Sequence, residues 1–588
     1  MPENLLTEWS RLLFDSLAAA GVTDVVASPG SRNTPFVLAA AHQPGLRVTD
    51  VIDERAAAFF ALGQARVTGR PSVLVCTSGS AGAHYLPAVI EADAAGIPLL
   101  ILTADRPIEL IHVGANQAID QAPLLAGYVR RVVDVGAPDA TPSSLRGLRR
   151  LAAQAVALSR APRPGPVHLN LRARKPLEPT AATSSAGQAL SEAVAALCHQ
   201  PITAVFEPRL TLDNAAIEAL ADRLGAARRG VIVAGPAPAE QGQARAAVAA
   251  LAAASGFALL PEAASQLRFT GDADAAVTGF DWIYRLPAGE TDLRPDCILQ
   301  IGAPPTSGAW ERWVERHPEI ERIVLAPSGW PDPHNSAAAI VHADLADTCE
   351  RLTAELRRRA APASHDFKNA LTRAEQTVRS TIAADPALAP GGWSEAAVAQ
   401  TVCAALPADS WLVLGNSLPL RSVDAYCHGP APRLRVLTQR GASGIDGLVS
   451  GAAGTASAAT EPVALLVGDV SLLHDIGGLM LAAAAQRSLV IVVVNNGGGR
   501  IFEQLPIARA DHADELHHFT TPHAVEIEHA ARLYRMSYAR VGSRGDLAAA
   551  IQAALGHRSG SLIEAVVPPH GAAEVQSRVL AALASDGR

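Results

Sequence analysis

Short apolar segments alternate with helical segments along most of this chain, and this alternation limits the folds that are open to it. In the N-terminal part, three strand-like segments end in small residues: VTDVVASPG, PSVLVCTSG and PLLILTADRP. The stretches between them, ERAAAFFALGQARVTG and AGAHYLPAVIEADAAG, have helical patterns. Apolar strands separated by helices are typical of a parallel, doubly wound sheet. We therefore predict an α/β fold with mainly parallel sheets.

The same alternation continues to the end of the chain and indicates several domains. Further strand-like segments are GVIVAGPAP, DCILQIG and RIVLAP in the middle, and SWLVLGNS, RVLTQRG, PVALLVGDV and SLVIVVVNN near the end. A chain of 588 residues is too long for one compact core and suits about three domains. We predict three doubly wound domains, at residues 1–182, 200–355 and 388–588, with an Ala-, Thr- and Ser-rich linker at Pro179–Ala189.

Composition argues against several classes of function. The net charge of -8 gives no electrostatic reason to bind nucleic acid or an anionic membrane. Apolar runs such as Leu489–Val494 are too short to cross a bilayer, and the N-terminus lacks the basic segment of a signal peptide, so we expect a soluble cytoplasmic protein without membrane insertion. The 6 cysteines are scattered, as expected for free thiols in a reducing compartment. Neither lysine, Lys175 or Lys368, lies in a context that favours Schiff-base chemistry.

The most informative local pattern joins two successive strands near the C-terminus. Gly468-Asp469-Val470-Ser471 follows VALLV, and Asn495-Asn496 follows SLVIVV, with a helical stretch between them. Parallel strands end at one edge of a sheet, so Asp469 and Asn496 should lie close together although they are 27 positions apart. Their carboxylate and amide oxygens suit Mg²⁺, and the Gly-rich turn after Asn496 offers backbone N–H groups to a diphosphate.

This arrangement resembles the thiamine-diphosphate-dependent enzyme family, in which G-D-x and N-N across one strand–helix–strand unit hold the cofactor's diphosphate and Mg²⁺, or Mn²⁺ in its place. The family also uses a glutamate at the start of a helix in its N-terminal domain. VTDVIDERAAAFFALGQAR places Glu54 in that setting. The resemblance implies that Glu54 is the catalytic acid. It hydrogen-bonds to the pyrimidine N1′ and favours the imino tautomer that removes the thiazolium proton.

Further motifs are similar to those of family members that act in menaquinone biosynthesis. The middle domain resembles the family only weakly, but motifs occur in family order in both outer domains. These motifs are SPGSRNTP, LTADRPIEL, GANQAI, LGNSLPLRSVDAY, RGASGIDGLVSGAAG, NNGGGRIFEQLP and FTTPH. The resemblance implies a transferase that decarboxylates 2-oxoglutarate and adds the succinyl carbanion to isochorismate. It also implies a homodimer or homotetramer whose sites combine Glu54 of one chain with the diphosphate motif of another.

The resemblance assigns roles to individual residues. Expected cofactor contacts are Glu54, Ser78, Gly79, Asn416, Gly444, Ile445, Gly468, Asp469, Val470, Ser471, Asn496, Gly498, Ile501 and Phe502, with Asp469, Asn496 and Gly498 as metal ligands. Ile445 is expected to hold the cofactor in its bent conformation. Both substrates are polyanionic, and the planar fork of arginine suits carboxylates. Expected substrate contacts are Ser31, Arg32, Arg106, Asn116, Gln117, Ser417, Arg421 and Arg440.

The chain departs from the family pattern in two places. Gly308-Ala309 follows Thr306-Ser307 where the family commonly has a Lys-Arg pair, so two cations expected near isochorismate are missing. Arg312, one helical turn later, is a candidate replacement. Gly497 stands where a third Asn or Asp is often found.

Three alternative functions follow from the same sequence. One is another thiamine-diphosphate enzyme, such as an acetolactate synthase or a 2-oxo-acid decarboxylase, although such enzymes need fewer arginines. A second is a catalytically inactive, cofactor-binding regulatory protein. The third is a nicotinamide-dependent dehydrogenase, which the absence of G-x-G-x-x-G disfavours.

Overall fold

The computed structural model describes residues 2–271, 276–359, 365–429, 431–509 and 511–586. Within these ranges the strands form three sheets, and each strand pair is parallel, which confirms the predicted α/β class. Residue contacts divide the chain into two compact units. The first comprises Met1–Pro208, Gln439–Ala459 and Asp475–Ala482, and the second comprises Arg209–Thr438, Thr460–His474 and Ala483–Arg588.

The first sheet lies in the first unit and has the strand order β2-β1-β3-β4-β6-β5. Its strands are β1 (Asp24–Ala27), β2 (Arg47–Asp50), β3 (Ser72–Cys76), β4 (Leu99–Asp105), β5 (Arg131–Asp134) and β6 (Pro166–Arg172). Strands β1, β3 and β4 are buried along their whole length, as expected for apolar segments with both faces covered.

The second unit contains the other two sheets. The middle sheet has the order β11-β10-β9-β7-β8, with β7 (Gly230–Ala234), β8 (Ala258–Pro261), β9 (Cys297–Ile301), β10 (Glu321–Ala326) and β11 (Ala339–His342). The third sheet has the order β13-β12-β14-β15-β17-β16, with β12 (Trp411–Leu414), β13 (Arg435–Thr438), β14 (Val463–Gly468), β15 (Leu489–Asn495), β16 (Ser537–Val541) and β17 (Gly560–Val566).

Helices connect these strands. From the N-terminus they are α1 (Leu5–Ala19), α2 (Thr34–Ala41), α3 (Glu54–Thr68), α4 (Ala81–His84), α5 (Leu86–Ala95), α6 (Pro142–Arg160), α7 (Ser185–Cys198), α8 (Asn214–Ala226), α9 (Arg245–Ser255), α10 (Phe280–Ile283), α11 (Pro287–Glu290) and α12 (Gly308–Arg316). They continue as α13 (Leu345–Arg358), α14 (Asp366–Ala384), α15 (Glu395–Ala405), α16 (Leu418–Tyr426), α17 (Leu448–Ala458), α18 (Asp469–His474), α19 (Leu479–Ala483), α20 (His517–Thr520), α21 (Ile527–Leu533), α22 (Arg544–Leu555) and α23 (Gly571–Asp586). Among the described helices, none combines the length and apolar composition that a bilayer crossing requires.

The strand orders fix where ligand-binding loops gather. In the first sheet β1 lies between β2 and β3, and in the third sheet β12 lies between β13 and β14. The direction of winding therefore reverses at β1 and at β12, and open α/β sheets bind ligands beyond the carboxyl ends of strands at such reversals. The loops after β1, β3, β12 and β14 carry many of the predicted site residues.

Helices α3 and α17 pack closely within the first unit because glycines leave room at their contact. A Cβ added to Gly63 would lie 2.0 Å from the carbonyl oxygen of Gly451, and one added to Gly454 would lie 1.9 Å from that of Phe60. Both distances are far shorter than a van der Waals contact, so the two backbones meet directly. The helix that begins at Glu54 is thereby held against α17.

Three segments differ from their sequence-based predictions. The predicted linker Pro179–Ala189 contains the start of α7, because the Ser184 hydroxyl accepts a hydrogen bond from the N–H of Gly187 at 3.0 Å and caps the helix. The predicted helix AGAHYLPAVIEADAAG is divided into α4 and α5, since Pro87 occupies the first turn of α5. The helical stretch after Asp469 is interrupted by a 3₁₀ turn at Ile476–Gly478.

Candidate active site

Glu54 is the first residue of α3, as predicted. The carboxylate of Asp53 accepts a hydrogen bond from the N–H of Arg55 at 2.8 Å and caps the helix, which fixes its first residue. Glu54 is half-buried. Burial raises the pKa values of Cys76 and Tyr85, and the charge of Glu54 raises both further. The Glu54 carboxylate therefore lies near the buried end of β3.

The loops after β3 and β4 bring five predicted residues together. The Arg106 guanidinium donates to the Ser78 hydroxyl and, at 2.9 Å, to the carbonyl of Asn116. The side-chain amide of Gln117 donates to the carbonyl of Ser78, also at 2.9 Å. Gly79, with φ of 84°, leaves room for Gln117, because a Cβ there would lie 2.9 Å from the Cγ of that side chain. The two loops thus hold each other in position.

Arg32, on the loop after β1, is buried near Arg106. Its Nη1 donates to the carbonyl of Ala173 at 2.8 Å, while its buried Nε has no partner among the described residues. Burial lowers the pKa of Arg32, the charge of Arg106 lowers it further, and Asp105 opposes the change. The two guanidinium groups repel each other, and a bound anion would relieve that repulsion. Ser31, in contrast, is exposed on the surface.

The loop after β13 belongs to the first unit and is anchored there by Glu91. This buried carboxylate accepts hydrogen bonds from the N–H groups of Gly441 and Ala442 at 3.1 and 2.7 Å. The predicted residues of this loop are Arg440, Gly444 and Ile445, and each is half-buried. The residue expected to bend the cofactor is therefore carried on a loop with fixed backbone contacts.

In the second unit, Asp469 follows β14 and is only 2% exposed. Its carboxylate accepts hydrogen bonds from the N–H groups of Val470, Gly497 and Gly498, at 2.7, 2.8 and 3.0 Å. Burial raises the pKa of Asp469, although these N–H groups oppose the rise. We expected the glycine N–H groups to be open to a diphosphate. At Gly497 and Gly498 they are occupied instead, because the Asp469 carboxylate reaches the turn.

Asn496 has the features of a metal ligand. Its Nδ2 donates to Glu395 Oε1 at 2.7 Å, while its buried Oδ1 has no partner among the described residues. A buried oxygen without a donor is costly unless a cation or another donor satisfies it. With Asp469 and the carbonyl of Gly498 it offers the hard oxygen set that Mg²⁺ prefers. In the described ranges no group of three or more His, Cys, Asp and Glu could hold a metal, so this mixed set is the candidate.

The remaining predicted residues of the third sheet lie on the neighbouring loops and turns: Gly468, Val470 and Ser471 around the start of α18, Asn416 and Ser417 before α16, and Ile501 and Phe502 in the 3₁₀ turn Arg500–Gln504. Ser417 has φ of 74° and ψ of -132°, a conformation that residues other than glycine rarely adopt. Such strain is concentrated at functional sites.

A cavity of about 310 Å³ within the second unit is lined by Ile501 and by Arg421, one of the predicted substrate ligands. Its other charged lining residues are Glu262, Asp281, Arg285, Glu311, Arg312 and Asp424. Burial, and then the nearby charge of Asp424, raise the pKa of Glu262 to about 8. The cavity therefore combines arginines with a carboxyl group, that of Glu262, that resists ionisation.

Sequence reasoning missed the side chains that support the predicted site residues. Glu395 lies 101 positions from Asn496, and Glu91 lies 350 positions from Gly441, so no local pattern links either pair. His523 Nε2 lies 3.4 Å from Asp469 Oδ2. The motif FTTPH contains this histidine and was the one available signal.

Comparisons with known families overlap each of the three sheets. The description "Thiamine pyrophosphate enzyme, N-terminal TPP binding domain" matches residues 7–124, and "Thiamine pyrophosphate enzyme, C-terminal TPP binding domain" matches residues 425–565. The description "Middle domain of thiamine pyrophosphate" matches residues 214–414. The middle region, whose motifs resemble the family only weakly, is therefore covered as well.

Curated relatives align with nearly the whole chain. A protein of Sorangium cellulosum is 48% identical over 585 residues, which cover 97% of this chain and 94% of the relative. Proteins of Geobacillus kaustophilus and Myxococcus xanthus are 41% and 38% identical, and both alignments cover 90% of this chain and 89% of the relative. All three relatives carry the name 2-succinyl-5-enolpyruvyl-6-hydroxy-3-cyclohexene-1-carboxylate synthase.

Proposed function

This chain belongs to the 2-succinyl-5-enolpyruvyl-6-hydroxy-3-cyclohexene-1-carboxylate synthase family of thiamine-diphosphate enzymes, and we propose that it catalyses the reaction of that name in menaquinone biosynthesis. In this reaction 2-oxoglutarate loses CO₂, and the succinyl group that remains is added in a 1,4 sense to the unsaturated carboxylate of isochorismate. The products are CO₂ and the new cyclohexene carboxylate, so the enzyme is a transferase.

The observation that carries the proposal is the pair formed by Asp469 and Asn496. A buried carboxylate and an unsatisfied amide oxygen lie beside the glycine turn after β15, at the carboxyl edge of the third sheet. We infer that Asp469, Asn496 and the carbonyl of Gly498 hold Mg²⁺, which Mn²⁺ can replace. The metal would in turn anchor the diphosphate of the cofactor.

Thiamine diphosphate, when bound, supplies a thiazolium carbon that can accept the electron pair released with CO₂. The role of this chain's Glu54 is to hold a proton at the pyrimidine N1′, a task that suits a half-buried carboxyl group at the start of a fixed helix. Ile445 and Phe502 provide apolar contact to the cofactor in the proposed site.

In the proposed function, arginines bind the carboxylates of the substrates. Arg32 and Arg106 lie close enough to repel each other, which favours an anion beside them. Arg421 lines the cavity of the second unit and donates a hydrogen bond to the carbonyl of Ser417, whose backbone conformation is strained. Bidentate arginine contacts orient planar carboxylates, and both substrates carry two such groups.

Assembly and location are further parts of the proposal. We infer a homodimer, alone or as a pair of dimers, whose active sites combine residues of two chains. Ile52, Ile108 and Val113 in the first unit are 67%, 69% and 64% exposed, a pattern that favours a covering partner surface. The 6 cysteines are free thiols, which supports a reducing cytoplasmic location.

A direct assay tests the function. Purified protein is mixed with thiamine diphosphate, Mg²⁺, 2-oxoglutarate and isochorismate, and loss of isochorismate absorbance is followed. We expect consumption that requires all four components and stops when the metal is chelated. Release of CO₂ from 2-oxoglutarate without consumption of isochorismate would contradict the acceptor. Release of CO₂ from pyruvate instead would indicate another enzyme of the wider family.

A further inference from the structure

Arg312 lies on the wall of the cavity that Ile501 also lines, and no described residue holds its guanidinium group. Arg285 donates to the Asp281 carboxylate at 2.8 Å, and Arg421 donates to the carbonyl of Ser417 at 3.0 Å. In the described part of the chain, Arg312 has neither a hydrogen bond nor an ion pair. Arg312 is also exposed, so its charge is available to a ligand that enters the cavity.

Gly308 leaves the space that this guanidinium occupies. A Cβ added to Gly308 would lie 3.3 Å from Nη1 of Arg312, which is tighter than an ordinary contact. A side chain at position 308 would therefore press on the Arg312 guanidinium group, which would have to move aside by a few tenths of an ångström. Gly308 and Arg312 lie one turn apart on α12.

The start of α12 is held rigidly by buried carboxylates. Glu262 accepts hydrogen bonds from the N–H groups of Thr306 and Ser307, each at 2.8 Å. The Ser307 hydroxyl donates to Asp281 and accepts from the N–H of Trp310 at 3.1 Å, which caps the helix. Arg312 is thus carried on a helix whose first turn has a fixed backbone position, so that no rearrangement of the helix start is needed when a ligand binds.

We propose that Arg312 binds a carboxylate of the acceptor substrate, isochorismate, and replaces the cation pair that is missing at Gly308-Ala309. The inference rests on the proposed function. The acceptor reacts after the donor has lost CO₂, and an exposed guanidinium group such as that of Arg312 remains accessible to a substrate that enters second. Arg421, which has a single hydrogen bond to a backbone carbonyl, supplies a second positive charge to the same cavity. A guanidinium group binds a carboxylate through two parallel hydrogen bonds.

The first test measures binding without turnover. Isochorismate is titrated calorimetrically into protein loaded with thiamine diphosphate and Mg²⁺, in the absence of 2-oxoglutarate. We expect Arg312→Ala to raise the Kd for isochorismate about tenfold or more, because a charge-assisted hydrogen bond is lost. Arg316→Ala is the matched control. Arg316 lies on the same helix, pairs with Glu290 and does not line the cavity, so we expect its Kd to stay within about twofold of the wild type.

The second test places a positive charge at position 308, where the family commonly has one. In the Arg312→Ala background, Gly308→Lys should recover most of the lost affinity, because the space is then free for a lysine. The KM for 2-oxoglutarate should stay unchanged in each variant.

An Arg312→Ala variant with wild-type Kd would overturn the inference. If the wild-type protein binds isochorismate but does not consume it, the proposed function is wrong. The comparison of Kd values then still decides whether Arg312 binds isochorismate. A wild type that does not bind isochorismate contradicts both.

Discussion

Asp53 and Glu54 are adjacent acidic residues at the start of α3, but they have different surroundings. Asp53 is exposed and caps the helix, whereas Glu54 is half-buried and contributes to the raised pKa values of Cys76 and Tyr85. We expect Glu54→Gln to lower kcat at least about 100-fold, because glutamine cannot exchange a proton with the cofactor. The measurement is steady-state consumption of isochorismate at saturating cofactor.

The neighbouring residue provides the control for that experiment. Asp53→Asn keeps a side-chain oxygen that can cap α3, since asparagine caps helices about as well as aspartate. We expect its kcat to stay within about twofold of the wild type. Equal activity of Glu54→Gln and Asp53→Asn would show that Glu54 does not take part in proton transfer.

The positions of the candidate site residues were predictable from sequence where the ends of strands carried them. Asp469 and Asn496 follow β14 and β15, and the parallel arrangement of those strands brings them to one edge. The contact of Glu395 with Asn496 was not predictable, because an acidic residue at the start of a helix such as α15 is common and indicates no particular partner. Its role became visible through the hydrogen bond from Asn496, a contact made by the fold.

At the level of elements, the contact between α3 and α17 depends on glycine. A Cβ at Gly454 would lie 1.9 Å from the carbonyl oxygen of Phe60, and a backbone atom cannot move aside as a flexible side chain can. We expect Gly454→Ala to lower the free energy of unfolding by about 3 kcal/mol, because the helices must separate. Denaturant titration followed by circular dichroism measures the change.

Gly147 in α6 is the control for this substitution. A Cβ added there meets no atom within 4 Å, and the residue lies inside a helix. We expect Gly147→Ala to raise the free energy of unfolding by about 0.5 kcal/mol, through the better helix propensity of alanine. A similar effect of both substitutions would mean that the contact between α3 and α17 tolerates side chains.

The turn that begins α12 should make stability depend on pH. Burial and the charge of Asp424 raise the pKa of Glu262 from 4.5 to about 8. Between these values the unfolded chain releases a proton that the folded chain retains, so stability falls as pH rises. We expect the free energy of unfolding of the wild type to fall by at least about 1 kcal/mol more than that of Glu262→Gln between about pH 5 and pH 8.

The comparison needs a variant with the same chemical change at an exposed position. Glu311 also lines the cavity but is exposed on α12, so Glu311→Gln should follow the wild-type pH dependence. Parallel curves for the wild type and Glu262→Gln would show that the buried carboxyl group releases its proton in the folded protein as readily as in the unfolded one.

The elements themselves were largely predictable, and their interruptions were not. Apolar runs such as those of β3 and β4 predict buried parallel strands because both faces must be covered. The break between α4 and α5 lies next to Pro87, which occupies the first turn of α5. A proline in a helical pattern can either kink one helix or begin a second, and the sequence pattern does not distinguish these outcomes. The 3₁₀ turn at Ile476–Gly478 lies in a stretch that is helical by pattern alone.

At the level of the whole molecule, mixing two inactive variants tests whether active sites combine two chains. Glu54→Gln lacks the proposed catalytic acid, and Asp469→Asn lacks the charged oxygen of a proposed metal ligand. A mixed dimer then contains one site with both residues intact if the site spans two chains, and no intact site otherwise. We expect unfolding and refolding of an equal mixture to restore about a quarter of wild-type activity, since half of the dimers are mixed.

Two separate samples control for incomplete inactivation. Each variant refolded by itself should remain inactive, and a wild-type sample taken through the same cycle gives the recovery of activity. No activity in the mixture, together with good recovery of the wild type, would place both residues in a site formed by a single chain.

The assignment of residues to compact units was beyond sequence analysis. The repeated strand pattern predicts three sheets, and the described part of the chain contains three. However, Gln439–Ala459 groups with the N-terminal unit although it lies between β13 and β14. That grouping depends on contacts such as those of Glu91 with Gly441 and Ala442, which join residues too distant in sequence for any pattern to link them.

The glycine contact between α3 and α17 also restricts how such proteins can exchange parts. A chimera that takes its N-terminal region from another family member would set a foreign α3 against the native α17. The foreign helix would then need a small residue at the position of Gly63, and its backbone would have to fit Gly454. Successful recombination must therefore transfer Gln439–Ala459 together with the N-terminal region, although more than 200 residues separate them in the gene product.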